Sequence, residues 1–240
     1  MSQVSPATPN RLTAQPPLVR ADAYFFDIDG TLLVTRDLVH WNGLRRAMYE
    51  VYGVDTTIEG IPYHGKTDVA ILRAALARCG VPASTFDAGL ERVLAAVCRE
   101  VSANANGILA EVCPAVPELL SQVSVQGNLL GVASGNLETV GWSKITAVGL
   151  RNFFSVSSFG DRCELRTAIF DNAATIARKA LGNDCSVCFI GDTPDDILAA
   201  RYINANVVAV STGTFEFGEL FRLNPDVCCR SCRELLGKLH

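Results

Sequence analysis

Four short apolar runs, each passing at its carboxyl end into acidic or small polar residues, constrain this chain more than any other feature. They span 23–29 (AYFFDID), 128–134 (NLLGVAS), 186–192 (SVCFIGD) and 206–212 (NVVAVST). Runs that are apolar throughout, rather than alternating, suit strands buried on both faces, and amphipathic helical stretches separate them. From Ala21 onward the pattern therefore predicts an α/β protein with a parallel sheet covered by helices. In such open sheets ligands bind beyond the carboxyl ends of the strands. Three of the runs end there in chemically capable groups: Asp27 and Asp29, Ser134, and Asp192.

The stretch between the first and second runs reads as consecutive helices. Leu38, Trp41, Leu44 and Met48 fall at helical spacing, as do Val69, Leu72, Leu76 and Cys79, and then Leu90, Leu94, Val97 and Val101. These stripes are read as packing faces, with Gly80 as a helix stop. His40 and Trp41 either face the strand ends or lie on a helix surface, the second reading being preferred. The division that follows is a leader at 1–20, rich in Pro, Ser and Gln and poorly ordered, a core at 21–35 plus 107–240, and a helical insertion at 36–106. Its hinges are expected near 33–37 and 104–111.

Composition narrows the function. With 21 Lys+Arg against 25 Asp+Glu, the net charge of −4 leaves no basic excess to displace counterions, which excludes nucleic acid as the main partner. The longest uncharged stretch, 119–137, carries Ser121, Gln122, Ser124, Gln126 and Asn128, so no membrane span is expected. The first twenty residues hold no apolar run of signal-peptide length, and nine cysteines in a chain of this size read as reduced thiols, hence a cytoplasmic protein. Two C-x-x-C spacings, Cys185/Cys188 and Cys229/Cys232, raise a zinc site. The first lies in a strand, where residues three apart face opposite sides, so burial is the preferred reading.

The first run leads into Asp27-Ile28-Asp29-Gly30-Thr31. Two carboxylates so close repel one another, a bound divalent cation relieves that repulsion, and oxygen ligands favour Mg²⁺. The second run ends in Ser134-Gly135-Asn136 and the third in Gly191-Asp192-Thr193-Pro194-Asp195-Asp196. By this set of motifs, in this order and with a helical insertion after the first, the chain resembles the haloacid-dehalogenase-like hydrolase superfamily, specifically its helical-cap phosphatases of the phosphoglycolate phosphatase type.

The resemblance implies a Rossmann-like core and Mg²⁺-dependent hydrolysis of a small phosphorylated metabolite. It assigns the nucleophile to Asp27, which forms an aspartyl-phosphate, and proton transfer to Asp29. It gives metal ligation to Asp27, Asp29 (through its backbone carbonyl) and Asp192, with Asp196, less readily Asp195, holding metal-bound water. Thr31, Ser134, Gly135 and Asn136 are implied phosphate contacts, although Ser134 also suits a helix cap. The family's usual lysine before the last motif is missing. Arg162 is expected to replace it, with Arg166, one turn further on, mattering little and Lys144 an alternative source of the cation. Lys66, in the loop 63–68, either touches substrate or is solvated beside a cap formed by Thr67 or Asp68.

Asp29 argues against a dehalogenase or a phosphonatase. A sugar-phosphate mutase, or a non-catalytic binding protein that has kept the fold, remains an alternative. Monomer and homodimer are both left open.

Overall fold

Alternation along the first strand already specifies a layered core. In the computed structural model, which describes residues 19–161 and 163–239, Tyr24 and Phe26 point into one apolar cluster and Ala23 and Phe25 into another. A strand with both faces apolar must sit inside a sheet covered on both sides.

In chain order the elements are β1 (Ala23–Phe26), β2 (Leu33–Thr35), α1 (Val39–Tyr52), α2 (Asp68–Arg78), α3 (Ala83–Ala103), β3 (Ala110–Val112), α4 (Val116–Val125), β4 (Leu129–Ser134), α5 (Glu138–Ala147), β5 (Val156–Phe159), α6 (Arg166–Leu181), β6 (Val187–Gly191), α7 (Pro194–Tyr202), β7 (Asn206–Val210), α8 (Phe217–Phe221) and β8 (Val227–Cys229). Six strands form one parallel sheet in the order β5-β4-β1-β6-β7-β8. Helices α4 and α5 contribute to the cluster on one face, and α6, α7 and α8 to that on the other. On the second face Phe170 stacks on Phe189 at 3.9 Å between ring centroids, and Phe189 on Phe25 at 5.7 Å. Cys188 belongs to the first face and Cys185 packs against the second, so this C-x-x-C pair straddles the sheet.

Strand order is what makes the site. β1 lies between β4 and β6, with Phe26 in register with both Val132 and Ile190. The carboxyl ends of these three strands therefore stand side by side, bringing Asp27, Ser134 and Asp192 together from three distant stretches of sequence.

Helices α1, α2 and α3 lie between β2 and β3, which pair as an antiparallel ribbon with Leu33 opposite Val112 and Thr35 opposite Ala110. The chain thus leaves and re-enters the core through adjacent strands where the sequence suggested only hinges. These helices enclose their own cluster, including Leu44, Met48, Leu72, Leu76, Phe86, Val93 and Val97, to which Leu137 and Val140 at the start of α5 also belong. The first stripe needs correction at its N-terminal end. Leu38 is 61% exposed, Trp41 is only half-buried, and both line the cleft, because α1 begins at Val39 and its first turn overhangs the strand ends. On α3 the buried line runs through Phe86, Gly89, Val93, Val97 and Val101, with Leu90 and Leu94 at its edge. Among the described residues no helix is long and apolar enough to cross a membrane.

Candidate active site

A cleft of about 760 Å³ opens where the strand ends meet the inserted helices; Asp27, Asp29, Ser134, Asn136, Lys144 and Arg166 are among the residues that line it. Asp27 follows β1 directly, and its amide donates to Ile190 O at 2.9 Å, so the strand pairing itself fixes the position of the carboxylate. The chain then turns sharply: Gly30 has φ +84°, and a Cβ there would overlap the Asp192 carboxylate. Only glycine combines that backbone with such a close approach.

Asp27, Asp192 and Asp196 form a buried acidic cluster whose carboxylate oxygens lie within 4.8 Å of one another. One guanidinium faces them. Arg166 Nη2 is 2.8 Å from Asp27 Oδ1 and also pairs with Asp196 Oδ1, its side chain only 6% exposed. Thr193 donates to Asp196 Oδ2 through both its amide (3.0 Å) and its hydroxyl (2.7 Å), in a capping box that starts α7. Thr31 Oγ1 donates to Asp192 Oδ1 at 3.0 Å. Thr31, expected to touch phosphate, is fully buried and holds Asp192 instead.

Among the described residues a single guanidinium faces three buried carboxylates and does not balance them. Burial, followed by the fields of neighbouring carboxylates, raises Asp27 to about 6 despite Arg166, and raises Asp192 well above the ordinary value. A hard divalent cation suits this all-oxygen donor set and would remove the repulsion. The three aspartates thus fit Mg²⁺. Asp196, expected to act only through water, offers an oxygen to the same cluster.

A stability consequence arises here. Asp27 binds its proton more tightly in the folded protein (about 6) than in the unfolded chain (3.8). Between those values the native state holds more protons, so in chelator the thermal midpoint is expected to fall as pH rises from 3.8 to about 6. Added Mg²⁺ is expected to raise the midpoint above that window and to do little below it. Melting curves with and without chelator across this range are the check, and a slope unchanged in Asp27→Asn would refute the assignment.

Asp29 occupies different surroundings. Its side chain is 42% exposed to the cleft and is held by the nearly buried Lys144, whose Nζ lies 2.9 and 2.7 Å from its two oxygens. Asn136 Nδ2 donates to Asp29 Oδ2 at 2.8 Å, while Asn136 Oδ1 accepts from Lys144 at 2.8 Å. Burial works to raise Asp29, but Lys144 and Asn136 outweigh it and hold the carboxyl at about 2. Lys144 therefore serves Asp29, not Asp27. Ser134 is buried at the end of β4, accepts from Asn136 Nδ2 at 2.9 Å and does not cap α5. The first amides near α5 are satisfied from elsewhere: Leu137 N donates to Asp68 Oδ2 (2.8 Å) and Glu138 N to Asp161 Oδ2 (3.0 Å).

The cation beside Asp27 is the main departure from the sequence reading. Arg162 lies outside the described residues, while Arg166, expected to matter little, pairs directly with Asp27. The reason is helix register. α6 starts at Arg166, so that residue lies in the first turn, where side chains point back toward the N-terminus and here toward the strand ends. Around the loop, Thr67 caps α2 by accepting from Ala70 N (3.1 Å), Gly135 O accepts from Asp68 N (2.9 Å), and Lys66 Nζ pairs with Asp195 Oδ2 at 2.6 Å. His40 and Trp41 line the cleft.

This constellation of three strand ends on a parallel sheet agrees with comparison to known proteins. Residues 24–210 match the family model described as haloacid dehalogenase-like hydrolase. The chain belongs to that family. It is, accordingly, a hydrolytic enzyme. A phosphoglycolate phosphatase of Agrobacterium fabrum is 27% identical over 208 residues, covering 84% of this chain and 85% of that protein. Among solved structures, CbbY of Rhodobacter sphaeroides in complex with phosphate superposes with a TM-score of 0.63 at 18% identity, covering 90% of this chain and 96% of the other. A haloacid dehalogenase-like family hydrolase from Streptococcus pneumoniae gives 0.57 at 18% identity, with 90% and 96% covered. At these identities the structural likeness establishes the fold of this haloacid dehalogenase-like hydrolase.

Proposed function

We propose that this hydrolase is a phosphatase that cleaves a small-molecule phosphomonoester through a covalent phosphoryl intermediate on Asp27. The observation that carries this reading is the pairing of Asp27 with Arg166 inside a cluster of buried carboxylates, next to a second, differently held carboxylate at Asp29. Such separation of environments assigns different work to two neighbouring acids.

An Asp27 oxygen attacks phosphorus, forming an aspartyl-phosphate as the bond to the ester oxygen breaks. Asp29 gives that oxygen its proton, then takes one from the water that attacks phosphorus and releases inorganic phosphate. Because only a protonated Asp29 can donate, its pairing with Lys144 and Asn136 must loosen when the phosphoryl group enters beside them. Arg166 offsets repulsion between the Asp27 carboxylate and the incoming anion and keeps that carboxylate oriented. Ser134 and the loop through Gly135 and Asn136 lie where they can donate to phosphoryl oxygens. Asp27 and Asp192, with Asp196 beside them and the Asp29 carbonyl as a further ligand, would hold Mg²⁺, which when bound would supply charge neutralisation for the transferring group. The helical insertion is read as a lid over the strand ends, closing the cleft to bulk water.

The test is release of inorganic phosphate from p-nitrophenyl phosphate with and without Mg²⁺. Asp192→Asn is expected to raise the Mg²⁺ concentration needed for half-maximal rate about 10–100-fold or more, the scale for disturbing a metal site through its ligand environment. Turnover at full rate in chelator would refute the metal role.

A further inference from the structure

Among the described residues, the cations lining the cleft are already matched by protein carboxylates. Arg166 faces Asp27 and Asp196, Lys144 faces Asp29, and Lys66 faces Asp195. At the rim Arg36 pairs with Glu111 at 3.1 Å, and His40 Nε2 lies 3.2 Å from Asp68 Oδ1. His64, the other basic group in the wall, sits within 3.3 Å of the Thr214 hydroxyl, and burial lowers its tendency to charge.

Several polar groups away from the strand ends are also spoken for. Thr35 Oγ1 donates to Asp29 Oδ1 at 3.1 Å, and the two Asp37 oxygens accept from the amides of Val39 and Leu109, both at 2.7 Å. The wall supplied by the inserted helices and their loops sets Leu38, Trp41, Leu44, Ile58, Tyr63 and Ile71 beside the polar His40, His64, Lys66 and Asp68. Within it the Trp41 ring stands edge-on to Tyr63 at 5.3 Å, and Tyr63 lies 4.2 Å from the His64 ring.

Resting on the phosphatase reading, we infer that the substrate is a phosphomonoester whose organic part carries an aromatic ring that packs against Trp41 and Tyr63. A ring set against Trp41 and Tyr63 gains apolar burial and edge-to-face contact. The leaving group would thus differ from the one named in the bacterial relative.

The test uses the full chain with Mg²⁺ and four alkyl esters of comparable leaving-group reactivity: benzyl phosphate, methyl phosphate, 2-phosphoglycolate and glucose 6-phosphate. Benzyl phosphate is expected to show kcat/KM about tenfold or more above methyl phosphate, in line with burial of one ring. The other two, which bring no aromatic ring, are expected to fall below benzyl phosphate. Trp41→Ala should raise KM for benzyl phosphate by about tenfold and by much less for methyl phosphate, while Trp41→Phe, which keeps a ring, restores most of the difference. Equal values for the four esters, or preference for 2-phosphoglycolate or glucose 6-phosphate, overturns the inference and leaves the phosphatase reading standing. No phosphate release from any of the four, nor from p-nitrophenyl phosphate, overturns that reading and the inference with it.

Discussion

Asp27→Asn is expected to abolish turnover, lowering kcat about 10⁴-fold or more, because an amide oxygen cannot displace an ester oxygen from phosphorus. The fold should survive. Asn keeps the shape of the side chain, and the strand pairing that sets this position uses the Asp27 amide donating to Ile190 O, not the carboxylate. Removing the charge also relieves part of the repulsion with Asp192 and Asp196. Metal-free Asp27→Asn should therefore melt at or above the wild-type temperature while forming no acid-labile phosphoprotein. Asp29→Asn should differ in kind: with p-nitrophenolate, which leaves without a proton, some phosphorylation of Asp27 should persist. Complete and equal loss of that first step in both variants would contradict the division of labour between the two aspartates.

The second large effect is expected at Arg166. Removing its guanidinium leaves Asp27 and Asp196 buried without their cation. Breaking a buried pair in this way costs about 3–5 kcal/mol of stability. Loss of one positioned electrostatic donor lowers kcat by about 10²–10³-fold. Because Arg166→Ala can fail on stability alone, Arg166→Lys is the informative variant. It keeps the charge but loses the planar fork that reaches two carboxylates, so it should fold and recover only part of the rate. Raising Mg²⁺ should rescue the stability of Arg166→Ala more than its rate, since a cation among the carboxylates offsets repulsion but cannot replace a donor to the phosphoryl oxygens. Arg162→Ala, measured alongside, should lose much less; the reverse order would return the role to Arg162.

Much of the core was legible beforehand because burial on both faces leaves a plain mark. Runs such as 186–192 are apolar throughout, and their switch to acidic residues coincides with the strand ends. The inserted helices were legible for a similar reason, since their packing follows the helical repeat. The ribbon of β2 and β3 was not. Three-residue strands bury too little to pattern the sequence, and their partners are separated by the whole insertion. The place of His40 and Trp41 in the cleft was not decided by pattern, because the period of a helix identifies one face but not which neighbour, core or cleft, that face meets.

The sequence by itself determined the α/β class, the order of the motifs and the residue types at the three central strand ends, because backbone pairing and burial act on local pattern. Tertiary structure alone decided which cation faces which carboxylate. Arg162, Arg166 and Lys144 are equally capable on paper. The register of α6 aims Arg166 at Asp27, and the approach of α5 brings Lys144 to Asp29. Coulomb energy depends on separations of a few ångströms between elements far apart in the chain, and no local pattern records those separations.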